Sequence, residues 1–179
     1  PSIGIDDNGE LAHPYVLEIY SKPYQPKPMA ATETGYTTFA SGVSETVVGK
    51  YVPRLFLEFF RLGIQRTFVY EFVDEFEDPA GTNDQAHFGM LRRDLTPKPS
   101  YGAVKALISA VSDEGASFEP QSLELTITPQ PVTVKASAVR PGGGDTDVTF
   151  DRLQYVHHVL LQKSDGRFFM PYLDHAELR

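Results

Sequence analysis

The residues in this chain best suited to chemistry are carboxylates that close runs of apolar residues. The stretch KPMAATETGY, residues 27–36, carries small and apolar side chains up to Glu33 and breaks at Gly35. A carboxylate at the end of a rigid strand is aimed more firmly than one on a loop tip, as a nucleophile directed at an anomeric carbon must be. The same position also suits a solvated loop acid or an ion-pair partner for Arg66. A second group, Glu71, Asp74, Glu75, Glu77 and Asp78, lies along and beyond the run RTFVYEFV at residues 66–73. Strand alternation sets Phe68, Tyr70 and Phe72 on one face and Val69, Glu71 and Val73 on the other, so Glu71 is expected to be partly buried and to need a partner. Carboxylates at such a strand end can bind sugar hydroxyls, position a cation or simply keep a loop wet.

Other chemistries find little support. His13, His87, His157 and His158 lack the spacing of a metal site, and His157 and His158 fall on opposite faces of a predicted strand. The chain has no Cys, which removes thiolate nucleophiles, disulfides and zinc–thiolate sites but leaves the compartment open. No GxGxxG, GxxxxGK[ST] or GxSxG element occurs, and the triple glycine at 142–144 precedes no predicted helix. The expectation is a protein without metal or other cofactor.

The elements that would position these residues are legible from periodicity. Residues 28–33 read as a strand, and the Gly/Ser/Thr-rich stretch 34–44 as a loop. Val47, Val48, Tyr51, Val52, Leu55, Phe56, Phe59 and Phe60 then form an apolar stripe of helical period, with Lys50, Arg54, Glu58 and Arg61 opposite. Ser44 is the expected N-cap, Gly63 the stop and Pro53 a bend. The run 66–73 reads as a parallel strand covered on both faces. TPKPSYGAVKALISAVSD follows as a second helix, with Tyr101, Val104, Leu107, Ile108 and Val111 on one face. Strand–helix–strand–helix order predicts parallel βαβ architecture with ligands at the carboxyl ends of the strands.

Beyond about residue 116 the pattern changes to period two in SLELTITP and VTVKASAV. YVHHVLLQKSDGRFFMPYL reads as a hairpin turning at Ser164, Asp165 and Gly166. Two domains are therefore expected, 1–117 and 118–179, the second being too small to fold without leaning on the first. At 179 residues, 41% hydrophobic and 22% charged, the composition is globular. A net charge of −8 with no basic stripe argues against nucleic acid or an anionic membrane as partner. No run of 18 apolar residues is present to span a bilayer.

Taken together, ATETGY (31–36), RTFVYEFVDE (66–75), HFGMLRRDLTPKPSY (87–101) and HHVLLQKSDGRFFM (157–170), in that order and spacing, resemble the C-terminal part of clan A glycoside hydrolases of the cellulase-like and family-39-like kind. The resemblance implies the last strand–helix units of a (β/α)8 TIM barrel, followed by a small antiparallel β-sandwich-like domain. It implies a retaining hydrolase of O-glycosidic bonds with a carbohydrate substrate and an extracellular or secreted location. Carried over, the catalytic nucleophile is Glu33, with Tyr36, Tyr70, Glu71, Asp74 and Glu75 lining the sugar site. LAHPY (11–15) resembles the end of the preceding strand and adds His13 and Tyr15. Such enzymes place a general acid/base in an Asn-Glu element after the fourth strand. No Asn-Glu pair stands ahead of residue 28, so the chain is expected to depend on a missing N-terminal half of the barrel, or to be a non-catalytic carbohydrate-binding or interaction module.

Overall fold

The computed structural model describes residues 27–128, 131–137, 145–151 and 156–174, in two units divided between Ser112 and Asp113. The division falls five residues before the expected boundary, directly after the second helix.

In the first unit, β1 (Met29–Thr34) leads through a loop to α1 (Glu45–Arg61) and returns in β2 (Ile64–Val69). The two strands are neighbours and run parallel, as the alternating pattern predicts. Ser44 caps α1, its Oγ accepting from the Val47 amide, and the helix is continuous through Pro53. The chain leaves α1 by way of Leu62 and Gly63, whose φ of +81° suits glycine. Val48, Val52, Leu55 and Phe59 recur at helical spacing and build the core with Tyr36, Ile64 and Val104, while Met29, Ala31 and Val69 of the strands pack against it. Two members of the predicted helix faces change sides: Phe60 is exposed, and Glu58 is buried in an ion pair with Arg61.

The second strand ends four residues earlier than expected. From Glu71 onward the backbone bonds to residues 88–91 instead of to β1. The Glu71 amide donates to the Phe88 carbonyl, the Met90 amide to that of Glu71, the Leu91 amide to that of Phe72 and the Asp74 amide to that of Leu91. A single 3-10 turn, Asp84–His87, lies in the intervening loop, and α2 (Pro99–Val111) closes the unit. Of the apolar face predicted for α2 only Val104 is buried, and Ile108 is 57% exposed. The described strands of this unit number two and do not close a barrel.

In the second unit, β3 (Pro131–Ser137) pairs antiparallel with β4 (Asp145–Asp151), β5 (Val156–His158) with β8 (Tyr172–Asp174), and β6 (Leu161–Gln162) with β7 (Phe168–Phe169). The β6–β7 hairpin turns at Ser164–Asp165–Gly166, as its sequence predicts. Among the described residues the sheets stay two-stranded and no sandwich is formed. SLELTIT, read as a strand, is irregular and exposes Leu123 and Leu125. Among the described residues its alternation finds no neighbouring strand to pair with, and pairing decides whether an alternating run becomes a strand. Asp113 ties this unit locally: its carboxylate accepts from the Ser164 hydroxyl at 2.6 Å, the Ser164 amide and the Gly115 amide.

Candidate functional site at the carboxyl ends of the strands

The register of β1 explains what happens to Glu33. Ala31 pairs with Thr67 and Thr34 with Val69, so three residues of β1 advance against two of β2. The extra residue is a bulge at Thr32–Glu33, and it reverses the alternation. Met29 and Ala31 face the helix side, and the strict period would put Glu33 there too. Instead Thr32 and Glu33 are both exposed and Thr34 is buried. A bulge is a recognised means of re-aiming one side chain at a sheet rim, and here it delivers Glu33 to solvent at the carboxyl end of a parallel strand.

The neighbouring strand end closes against this point. The Tyr70 amide donates to the Thr34 carbonyl at 2.8 Å. Gly35 lies so near Tyr70 that a β-carbon there would collide with the Tyr70 carbonyl oxygen, which only glycine avoids. The Tyr70 ring meets Phe88 edge-on at 5.5 Å. Its phenol pKa is raised, first by the charge of Glu71, then by burial, then by the charges of Glu75 and Glu33. The Tyr70 amide bond to the Thr34 carbonyl sets Tyr70 beside the end of β1, and the charges of Glu71, Glu75 and Glu33 all act on its phenol. Glu71 has one carboxylate oxygen buried without a hydrogen-bond partner, and its carboxyl pKa is raised, chiefly by burial and then by Glu75 and Asp74.

Two predicted sugar contacts sit elsewhere. Tyr36 is in the core, its ring tilted on Tyr51 at 5.6 Å, and burial pushes its phenol pKa above the usual tyrosine range. Asp74 is 7% exposed and Lys98 3%, and the two form an ion pair at 2.7 Å. The same Asp74 oxygen accepts from the Gly89 amide, while Lys98 also donates to the Thr38 hydroxyl and the His87 carbonyl. These bonds tie the loop after β1 to the loop after β2. Sequence reasoning missed Lys98, which is 24 residues from its partner in a stretch that otherwise reads as loop and helix start. His13 and Tyr15 lie outside the described residues.

Beside this tie lies an open cleft of about 720 Å³. Its carboxylates are already engaged: Glu45 with Arg92, Glu77 with Arg93, Asp78 with His87, Asp74 with Lys98 and Asp94 with the Thr96 hydroxyl. Glu33 does not line it. The cleft is a braced loop surface, and the exposed rim around Glu33 is the better candidate for chemistry.

No protein-family model matches the chain, and no curated protein matches it. Among solved structures it is similar to a family 39 glycoside hydrolase from the gut symbiont Bacteroides cellulosilyticus WH2. The two are 18% identical with a TM-score of 0.46, and the match covers 90% of this chain and 36% of that one. The chain therefore spans little more than a third of that protein's length.

Proposed function

We propose that the chain is the C-terminal part of a retaining glycoside hydrolase, with Glu33 as the nucleophile. The observation that carries this reading is the bulge at Thr32–Glu33, which turns a carboxylate out of the helix-facing row at a parallel strand's carboxyl end, beside Tyr70. In the proposed reaction the Glu33 carboxylate attacks the anomeric carbon while the glycosidic oxygen leaves with a proton from a general acid. Water then cleaves the glycosyl ester as that same group acts as base. Tyr70, Glu71 and Glu75 contact the sugar, and Asp74 holds the rim through Lys98. The general acid comes from the remaining strand–helix units of the barrel, in a protein acting outside the cell.

Open surfaces support a need for such units. A parallel sheet is ordinarily covered on both faces, yet Phe68 of β2 is 56% exposed. The test is labelling, in the protein that contains the complementary barrel segment, with an activated 2-deoxy-2-fluoro aryl glycoside, followed by peptide mass mapping. The label is expected on Glu33, and Glu33→Gln is expected to lower kcat at least a hundredfold while leaving sugar affinity nearly unchanged. A label on another residue, or variant activity above about a tenth of the parent's, refutes the assignment. Sugar binding without turnover in the parent protein supports the non-catalytic module instead.

A further inference from the structure

The exposed rim and the open cleft are joined by hydrogen bonds. Glu75, whose charge acts on the Tyr70 phenol, offers its backbone carbonyl to Arg93, which donates to it from Nη1 at 2.7 Å and from Nε to Glu77 at 3.2 Å. Arg93 and Glu77 both line the cleft. From the cleft wall the Lys98 Nζ also reaches the Thr38 hydroxyl at 3.2 Å, in the loop that follows Glu33. The cleft is thus tied to the ends of both strands. Its lining suits a polyol with one apolar face. Phe76, the residue after Glu75, is 48% exposed there, and an open aromatic ring gives the C–H face of a pyranose a flat surface to lie on. Beside it Glu45 meets Arg92 through Oε2 and Glu77 meets Arg93 through Oε1, so the second oxygen of each carboxylate can accept from a hydroxyl. The five carboxylates of the cleft outnumber its three fixed cations, Arg92, Arg93 and Lys98, and still do so when His87 is protonated. A ligand bearing carboxylate or sulfate groups would meet net repulsion. The volume of about 720 Å³ lies within the ~300–1,000 Å³ typical of small-ligand sites.

We propose that this cleft holds further units of an uncharged sugar chain whose reacting linkage lies at Glu33, so that the substrate is a neutral oligosaccharide or polysaccharide and not a single sugar on a small leaving group. Phe76 is the platform on which one of these units stacks, and Glu45 and Glu77 accept from its hydroxyls. The inference rests on the glycosidase reading for the position of the reacting linkage. The contacts in the cleft do not depend on the chemistry of Glu33.

The test is titration calorimetry on the full chain with β-linked glucose, xylose and mannose oligomers of one to six units, and with oligogalacturonates of the same lengths as the anionic set. In at least one neutral series the affinity is expected to rise about tenfold or more between one unit and four, the size of one buried aromatic contact. Phe76→Ala is expected to remove most of that gain and Phe76→Tyr to keep it, with unchanged circular dichroism in both, since the ring is half exposed. The absence of binding in every neutral series overturns the proposal, as does a gain with length that Phe76→Ala leaves intact, or tighter binding of the anionic set. Labelling by the fluoro glycoside separates this proposal from the nucleophile assignment. A label on Glu33 without length dependence ends the proposal and leaves the assignment standing, whereas length dependence that Phe76→Ala abolishes, with the label on another residue, does the reverse.

Discussion

Replacing Lys98 by Met should be among the most damaging single changes in the first unit. The thioether keeps most of the stem's volume, so the packing loss is small. The polar loss is large: the Nζ donates to Asp74 at 2.7 Å and to the Thr38 hydroxyl and His87 carbonyl at 3.2 Å each. Its removal leaves the Asp74 carboxylate buried with the Gly89 amide at 2.8 Å among its remaining donors. Breaking a buried ion pair from one side typically destabilises by about 3–5 kcal/mol. In a unit of this size that lowers the midpoint of thermal unfolding by more than about 10 °C. The assay is urea and thermal unfolding followed by circular dichroism. Arg93→Met is the control, because its pair with Glu77 is 55% and 74% exposed and such pairs contribute at most about 1 kcal/mol. Lys98→Met combined with Asp74→Leu should recover part of the loss, the remainder of about 1–3 kcal/mol reflecting the unpaired Gly89 amide. A loss below about 1 kcal/mol for Lys98→Met would refute the view that this pair holds the two rim loops together.

Gly35→Ala forces a methyl against the Tyr70 carbonyl; it should destabilise by about 1–3 kcal/mol, read by urea unfolding, and displace Tyr70 from Glu33. Ser44→Ala removes the cap of α1, and because that bond is long at 3.4 Å the loss should lie near the low end of the capping range, about 0.5 kcal/mol. The Asp113 carboxyl pKa is lowered, first by the Ser164 hydroxyl and then by the Ser164 and Gly115 amides. A depressed carboxylate adds stability above its unfolded pKa of about 3.9 and loses it as pH falls through the lower folded value. Protection of the Ser164 amide should therefore hold down to about pH 4, weaken below it, and be largely absent at every pH in Asp113→Asn.

How far the sequence shows this structure depends on the range of the interaction concerned. Local signals survived: the apolar period of α1, the Ser44 cap, the β1 strand and the Ser164–Gly166 turn are all set by residues within a few positions of one another. The strand at 66–73 was legible as to type but not extent. Its continuation depends on whether residues 71–74 find β1 or residues 88–91, a choice between two partners distant in sequence. Tyr36 and Asp74 show the same limit. A tyrosine two residues past a strand end can be a platform or a core residue, and α1 decides which. A carboxylate at a strand end can meet sugar or a buried lysine, and only the fold of the loop between them brings Lys98 to Asp74.

Glu33 joins the two cases. Its residue type and its place at the end of a strand were visible in the stretch 27–36, but period two alone points it into the helix-packed face, where an unpaired carboxylate would be costly. The bulge resolves this conflict, and nothing in the letters MAATET marks it. Its cause lies in pairing: Thr34 must meet Val69, and its carbonyl must receive the Tyr70 amide, while Gly35 slips under the Tyr70 carbonyl. Those contacts fix the strand end one residue out of step with Ala31, and the residue left over is accommodated at Thr32–Glu33. The close approach that requires glycine at position 35 is thus part of the same geometry that frees the carboxylate at position 33, so a change at either Gly35 or Tyr70 should move Glu33 without touching it.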